Sequence, residues 1–63
     1  MTATIKVNRK MVTYTLSQMT IGENVKADLI ARGFDGTYWM GEAGNRNALF
    51  IRDAATGKFE LAI

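Results

Sequence analysis

Apolar and polar side chains alternate from the start of the chain. In Thr2–Asn8, Ala3, Ile5 and Val7 point to one side and Thr4 and Lys6 to the other, the period of a half-buried strand. Asn8-Arg9-Lys10 is a polar break, after which Met11–Leu16 alternates again, with Val12, Tyr14 and Leu16 apolar and Thr13 and Thr15 polar. Two such runs joined by about three polar residues form a hairpin. The period then changes. Ile21, Val25, Leu29 and Ile30 fall on one stripe of an α-helix. Ser17 and Thr20 compete to cap its start, and Thr20-Ile21-Gly22-Glu23 has the pattern of a capping box. Gly33 stops the helix after Arg32, and Phe34 is placed to pack back on the last turn.

Beyond Asp35-Gly36, read as a turn, the chain returns to strand chemistry. Thr37–Ala43 is rich in strand formers, Gly44-Asn45-Arg46-Asn47 turns, and Ala48–Asp53 is a strand. Asp53–Lys58 suits a type I turn closed by a left-handed glycine, and Phe59–Ile63 alternates with Phe59, Leu61 and Ile63 on one side. The order ββαβββ predicts an α+β fold over residues 1–63 as a single domain. It would have about five antiparallel strands in one sheet and one helix packed on one face. A small, partly open barrel with the helix plugging one end is the alternative. Parity marks Ile5, Val7, Val12, Tyr14, Leu16, Val25, Leu29, Leu49, Ile51, Phe59 and Leu61 as core.

Composition narrows the chemistry. The 63 residues carry eight basic and six acidic side chains, 48% hydrophobic residues and no histidine, cysteine or proline. The hydrophobic share is that of a folded domain. Without cysteine there is no disulfide framework, zinc-thiolate site or thiol nucleophile; without histidine the commonest general base and metal ligand is missing. Ser17 is the only serine, and it has no base of the usual kind to activate it. The carboxylates Glu23, Asp28, Asp35, Glu42, Asp53 and Glu60 are spread along the chain and lack calcium-loop spacing. Gly57-Lys58 resembles the end of a phosphate-binding loop, but Arg52 stands where the earlier glycine is required. The expectation is no enzyme, no metal and no cofactor. The N-terminus lacks a signal-peptide core and no run is long enough to span a membrane, so a cytoplasmic location is expected.

The aromatic residues carry the sharper clue. In Tyr38-Trp39-Met40 and Ala48-Leu49-Phe50-Ile51, adjacent apolar residues must point to opposite faces. One helix covers one face, which leaves Phe50, Trp39 or Tyr38, and Met11 for the other. Either a partner covers that face or the sheet coils enough to bury it.

Two main function readings follow. The first is a small non-catalytic protein that occupies a surface of a larger partner through Trp39, Phe50, Met11, Tyr38 and Arg52. A protein partner heads this reading, and phage-type or accessory inhibitors of nucleic-acid machines such as CRISPR effectors have this profile by class analogy. The second is a nucleic-acid module in which aromatics stack on bases while Lys6, Arg9, Lys10, Arg46 and Lys58 hold phosphates. Against it, the net charge is only +2 and acidic residues are interleaved with the basic ones. A homodimer joined through the open face is compatible with either.

Overall fold

The structure is a computed structural model that describes residues 1–62. Ile63, expected at the end of the last strand, lies outside the described residues. Five strands and one helix follow in the expected order: β1 (Thr2–Val7), β2 (Lys10–Met19), α1 (Glu23–Ala31), β3 (Gly36–Ala43), β4 (Arg46–Asp53) and β5 (Phe59–Leu61). The strands form one antiparallel sheet in sequence order, with the helix inserted between β2 and β3.

β2 is longer than its alternation suggested. Its first half, up to Thr15, pairs with β1; its second half, from Thr15 to Met19, pairs with β3. One strand thus serves two neighbours that overlap only at Thr15. That offset swings the β1–β2 hairpin across the sheet and makes it nearly closed, as a partly open barrel is. It also corrects the reading of Ser17: this residue is paired with Met40 in the sheet and caps nothing.

The helix also begins differently. Its N-cap is Gly22, with no side-chain capping bond, so the Thr20–Glu23 capping box does not form. The C-terminal end is as expected. Gly33, at φ 93°, donates its N–H to the Ile30 carbonyl at 2.9 Å, and Phe34 donates to Leu29 at 2.9 Å. Together these bonds make a Schellman stop, and only glycine takes its backbone angle without strain. Leu29 is the one buried residue of α1, so the helix meets the sheet through its last turn. Val25, one turn earlier, is 52% exposed and is not core.

The turns follow local chemistry. Asn8 and Arg9 both have positive φ, the mark of a two-residue type I′ hairpin loop, one residue tighter than expected. Asp53–Lys58 closes as expected. The Gly57 N–H reaches the Asp53 carbonyl at 2.8 Å, and Asp53 Oδ1 accepts from the N–H groups of Ala55 and Thr56 at 2.7 and 3.2 Å. Gly36, expected in a turn, starts β3 opposite Asp53.

The sheet has a core on each face. On the helix side Leu29, Tyr38 and Ile51 are buried, with Met19, Ile21, Phe34 and Leu49 around them. On the concave side Tyr14, Leu16 and Phe50 are buried under the β1–β2 hairpin, whose Ala3, Ile5, Val7 and Val12 pack against them. Phe50 is 0% exposed, although no helix covers that face. Of the two outcomes open for the two-sided strands, coiling accounts for Phe50. Leu61, expected in the core, is 45% exposed because the three-residue β5 is an edge.

Candidate interaction groove

Rows of residues across the concave face explain how its aromatics divide. One row runs Gln18, Trp39, Phe50, Leu61; the next towards the helix end runs Thr37, Arg52, Phe59. On the other side of the first row lie Leu16, Gly41 and Ala48. A side chain's first carbon at Gly41 would sit 2.5 Å from Phe50 Cε2. The Phe50 ring therefore occupies the space Gly41 leaves open, edge-on to Tyr14 with ring centroids 5.1 Å apart. Trp39 leans the opposite way. Its indole N–H donates to Thr37 Oγ1 at 2.9 Å, and its ring meets Phe59 edge-on with centroids 5.5 Å apart at 85°. The glycine at position 41 sends one aromatic into the core and leaves the other half-buried at the rim.

Arg52 completes the rim. Its guanidinium carbon lies 5.5 Å from the Phe59 ring centroid, and its Nε donates to the Gly57 carbonyl at 3.1 Å. The ring contact and one hydrogen bond hold a side chain that is otherwise exposed to solvent. Trp39, Arg52, Thr37, Gln18 and Gly57, with Asp35 and Asp53 in the walls, line an open groove of about 640 Å³.

The other expected site residues are dispersed. Phe50 and Tyr38, 0% and 5% exposed, are core and present no surface to a partner. Tyr38 faces the helix and donates its hydroxyl to the Phe34 carbonyl at 3.1 Å; burial, and secondarily the Asp35 carboxylate, hold its phenol above the ordinary range. Met11 is 67% exposed but lies opposite Lys6 near the β1–β2 turn, on the face away from the groove. Lys6, Arg9 and Lys10 cluster at that same turn. β2 carries the chain from Lys10 to Met19, 10 residues, about 30 Å at roughly 3.3 Å per residue. Met19 pairs with Tyr38, beside the Thr37–Arg52 row. The basic turn and Arg52 therefore stand at opposite ends of the sheet. Arg46 sits at the β3–β4 turn, and Lys58 is an exposed neighbour of Phe59.

Phe59, read from the sequence as core, is the residue that joins Trp39 to Arg52. Its position was derivable: a turn over Asp53–Lys58 sets its flanking residues, Arg52 and Phe59, opposite each other. Among the described residues, no three His, Cys, Asp or Glu side chains are grouped to hold a metal ion, and no helix is long and apolar enough to cross a membrane. Comparison of the chain with family models, with curated proteins and with solved structures found no match.

Proposed function

We propose that this chain is a non-catalytic binding protein that acts by occupying a surface of a larger protein, with the Trp39–Phe59–Arg52 rim as the contact. The observation that carries the reading is the meeting of these three side chains beside a groove, in a molecule that buries Tyr14, Tyr38 and Phe50. Tryptophan and arginine concentrate binding energy at protein interfaces when they lie together and lose water on docking. The side chains are already held by the Thr37 and Gly57 hydrogen bonds, so little freedom is lost on binding.

Nucleic acid is the second reading, and the half-buried Trp39 and Phe59 are its support. The charges oppose it. Asp35 and Asp53 line the groove, and the Lys6–Lys10 cluster lies at the far end of the sheet.

Trp39 is the only tryptophan, so its fluorescence reports on the groove directly. The test is to capture a partner from the native host, purify it, and mix it with the protein while recording Trp39 emission. The reading expects a shift in emission on binding, and loss of binding in Trp39→Ala with its fold retained. A partner that binds without disturbing Trp39 emission, or binds Trp39→Ala equally well, overturns it. Single-stranded DNA that quenches Trp39 with affinity falling steeply in salt selects the nucleic-acid reading instead.

A further inference from the structure

The exposed Arg52 side chain bears on what the groove accepts, given the reading of that groove as a protein-binding site. Arg52 has no carboxylate within salt-bridge distance among the described residues, where the one ion pair is Arg32–Asp28 at 3.2 Å. Its Nε donates to the Gly57 carbonyl, and its guanidinium carbon lies over the Phe59 ring. What remains is the terminal fork, which matches the two oxygens of a carboxylate by paired hydrogen bonds. Beside it lies the half-buried ring of Trp39, an apolar surface of the size of one side chain.

We infer that the groove binds an acidic–apolar segment of the partner protein: one Asp or Glu carboxylate on the Arg52 fork and an adjacent apolar side chain against Trp39. The walls set the number of charges. Asp35 and Asp53 also line the groove, and the carboxylate of Asp53 stays close to Arg52 in sequence while it caps the following loop. A segment with several acids, or a phosphate chain with a charge at every step, meets those two carboxylates; a single acid placed on Arg52 does not have to. The Arg52 side chain is exposed at the rim, so an incoming carboxylate keeps part of its hydration and the pair avoids the full cost of burying charge.

The test uses the full chain, immobilised, and a random peptide library displayed on phage. The recovered peptides should carry one Asp or Glu next to Leu, Ile, Met or an aromatic residue, and a synthetic copy should shift Trp39 emission. Replacing its acid by the amide, or making Arg52→Gln, should weaken binding about tenfold or more. Arg52→Lys keeps the charge but loses the fork and should recover only part of the affinity. Thermal melting confirms that the variants fold. Peptides that shift Trp39 emission but carry no acid, or bind Arg52→Gln unchanged, overturn the carboxylate inference and leave the groove standing as a binding site. If no peptide shifts Trp39 emission, or only a single-stranded oligonucleotide does, both the inference and the protein-binding reading fall.

Discussion

Gly41 decides where Phe50 goes, and replacing it tests the concave core. A Cβ at Gly41 would lie 2.5 and 2.7 Å from Phe50 Cε2 and Cδ2 and 3.3 Å from Leu16 Cδ2. Carbon atoms in good contact are about 3.5–4.0 Å apart, so the ring must retreat by roughly 1 Å. Phe50 is 0% exposed and has Tyr14 on another side, so it has no outward path. Overpacking of this kind costs about 1–3 kcal/mol, and the upper half of that range applies because the ring is enclosed. Alanine regains only about 0.5–1 kcal/mol of the backbone entropy that glycine gives up in a strand. A 63-residue chain has about 3–9 kcal/mol in total at the usual 0.05–0.15 kcal/mol per residue. The net cost of about 1–2.5 kcal/mol means that Gly41→Ala should lower Tm by about 4–20 °C, at about 4–8 °C per kcal/mol. Phe50→Leu removes the clashing ring edge. In the double variant the two costs should fall short of their sum by about 1 kcal/mol or more. Urea and thermal unfolding followed by far-UV circular dichroism give all four corners of this cycle. A Gly41→Ala protein that melts like the parent, or costs that simply add, would refute the packing argument.

Three further perturbations address separate parts of the molecule. Leu29 is the one residue of α1 that is buried, so Leu29→Ala should cost about 2–5 kcal/mol; in the parent, hydrogen exchange should show the α1 amides opening more easily than those of β3 and β4. Asp53→Ala frees the Ala55 and Thr56 N–H groups and should destabilise by about 1 kcal/mol in urea unfolding, with the loop amides exchanging faster. The raised Tyr38 phenol means that the folded state prefers its protonated form. Its contribution is complete below the unfolded value of about 10 and is lost as pH rises through the higher folded value. Tyr38→Phe loses the bond to the Phe34 carbonyl and should cost about 0.5–1.5 kcal/mol at neutral pH. That difference should shrink above about pH 10, and a constant gap up to pH 11 in unfolding curves would count against it.

Much of the fold was legible because local rules agreed with the final arrangement. The alternation of β1, the stop at Gly33-Phe34 and the Asp53–Lys58 turn depend on neighbours in sequence, and each forms as its chemistry requires. The start of the helix was misread for the converse reason. Ser17 has the chemistry of a cap, but β2 must run on to Met19 to reach β3, and sheet pairing outweighs a cap worth about 1 kcal/mol. Val25 sits on the inward stripe of the helix, yet nothing in the sequence shows that only the last turn touches the sheet.

The site was legible in part. Strand parity singles out Trp39 and residue type Arg52, and the structure brings the two together through Phe59. Phe50 was named beside them because it shares their face. Its separation from Trp39 comes from the offset pairing of β2 and from the space above Gly41, both of which are set by tertiary packing.

The division between a core Phe50 and a rim Trp39 is the premise on which the functional reading stands. The most direct measurement compares urea unfolding of Phe50→Ala and Trp39→Ala, read by circular dichroism because the second variant has no tryptophan. Phe50→Ala should lose about 3–5 kcal/mol, most of the stability a chain of this size has. Trp39→Ala should keep a cooperative transition and lose less than half as much. Equal losses in the two variants, or a Phe50→Ala protein as stable as the parent, would contradict the account.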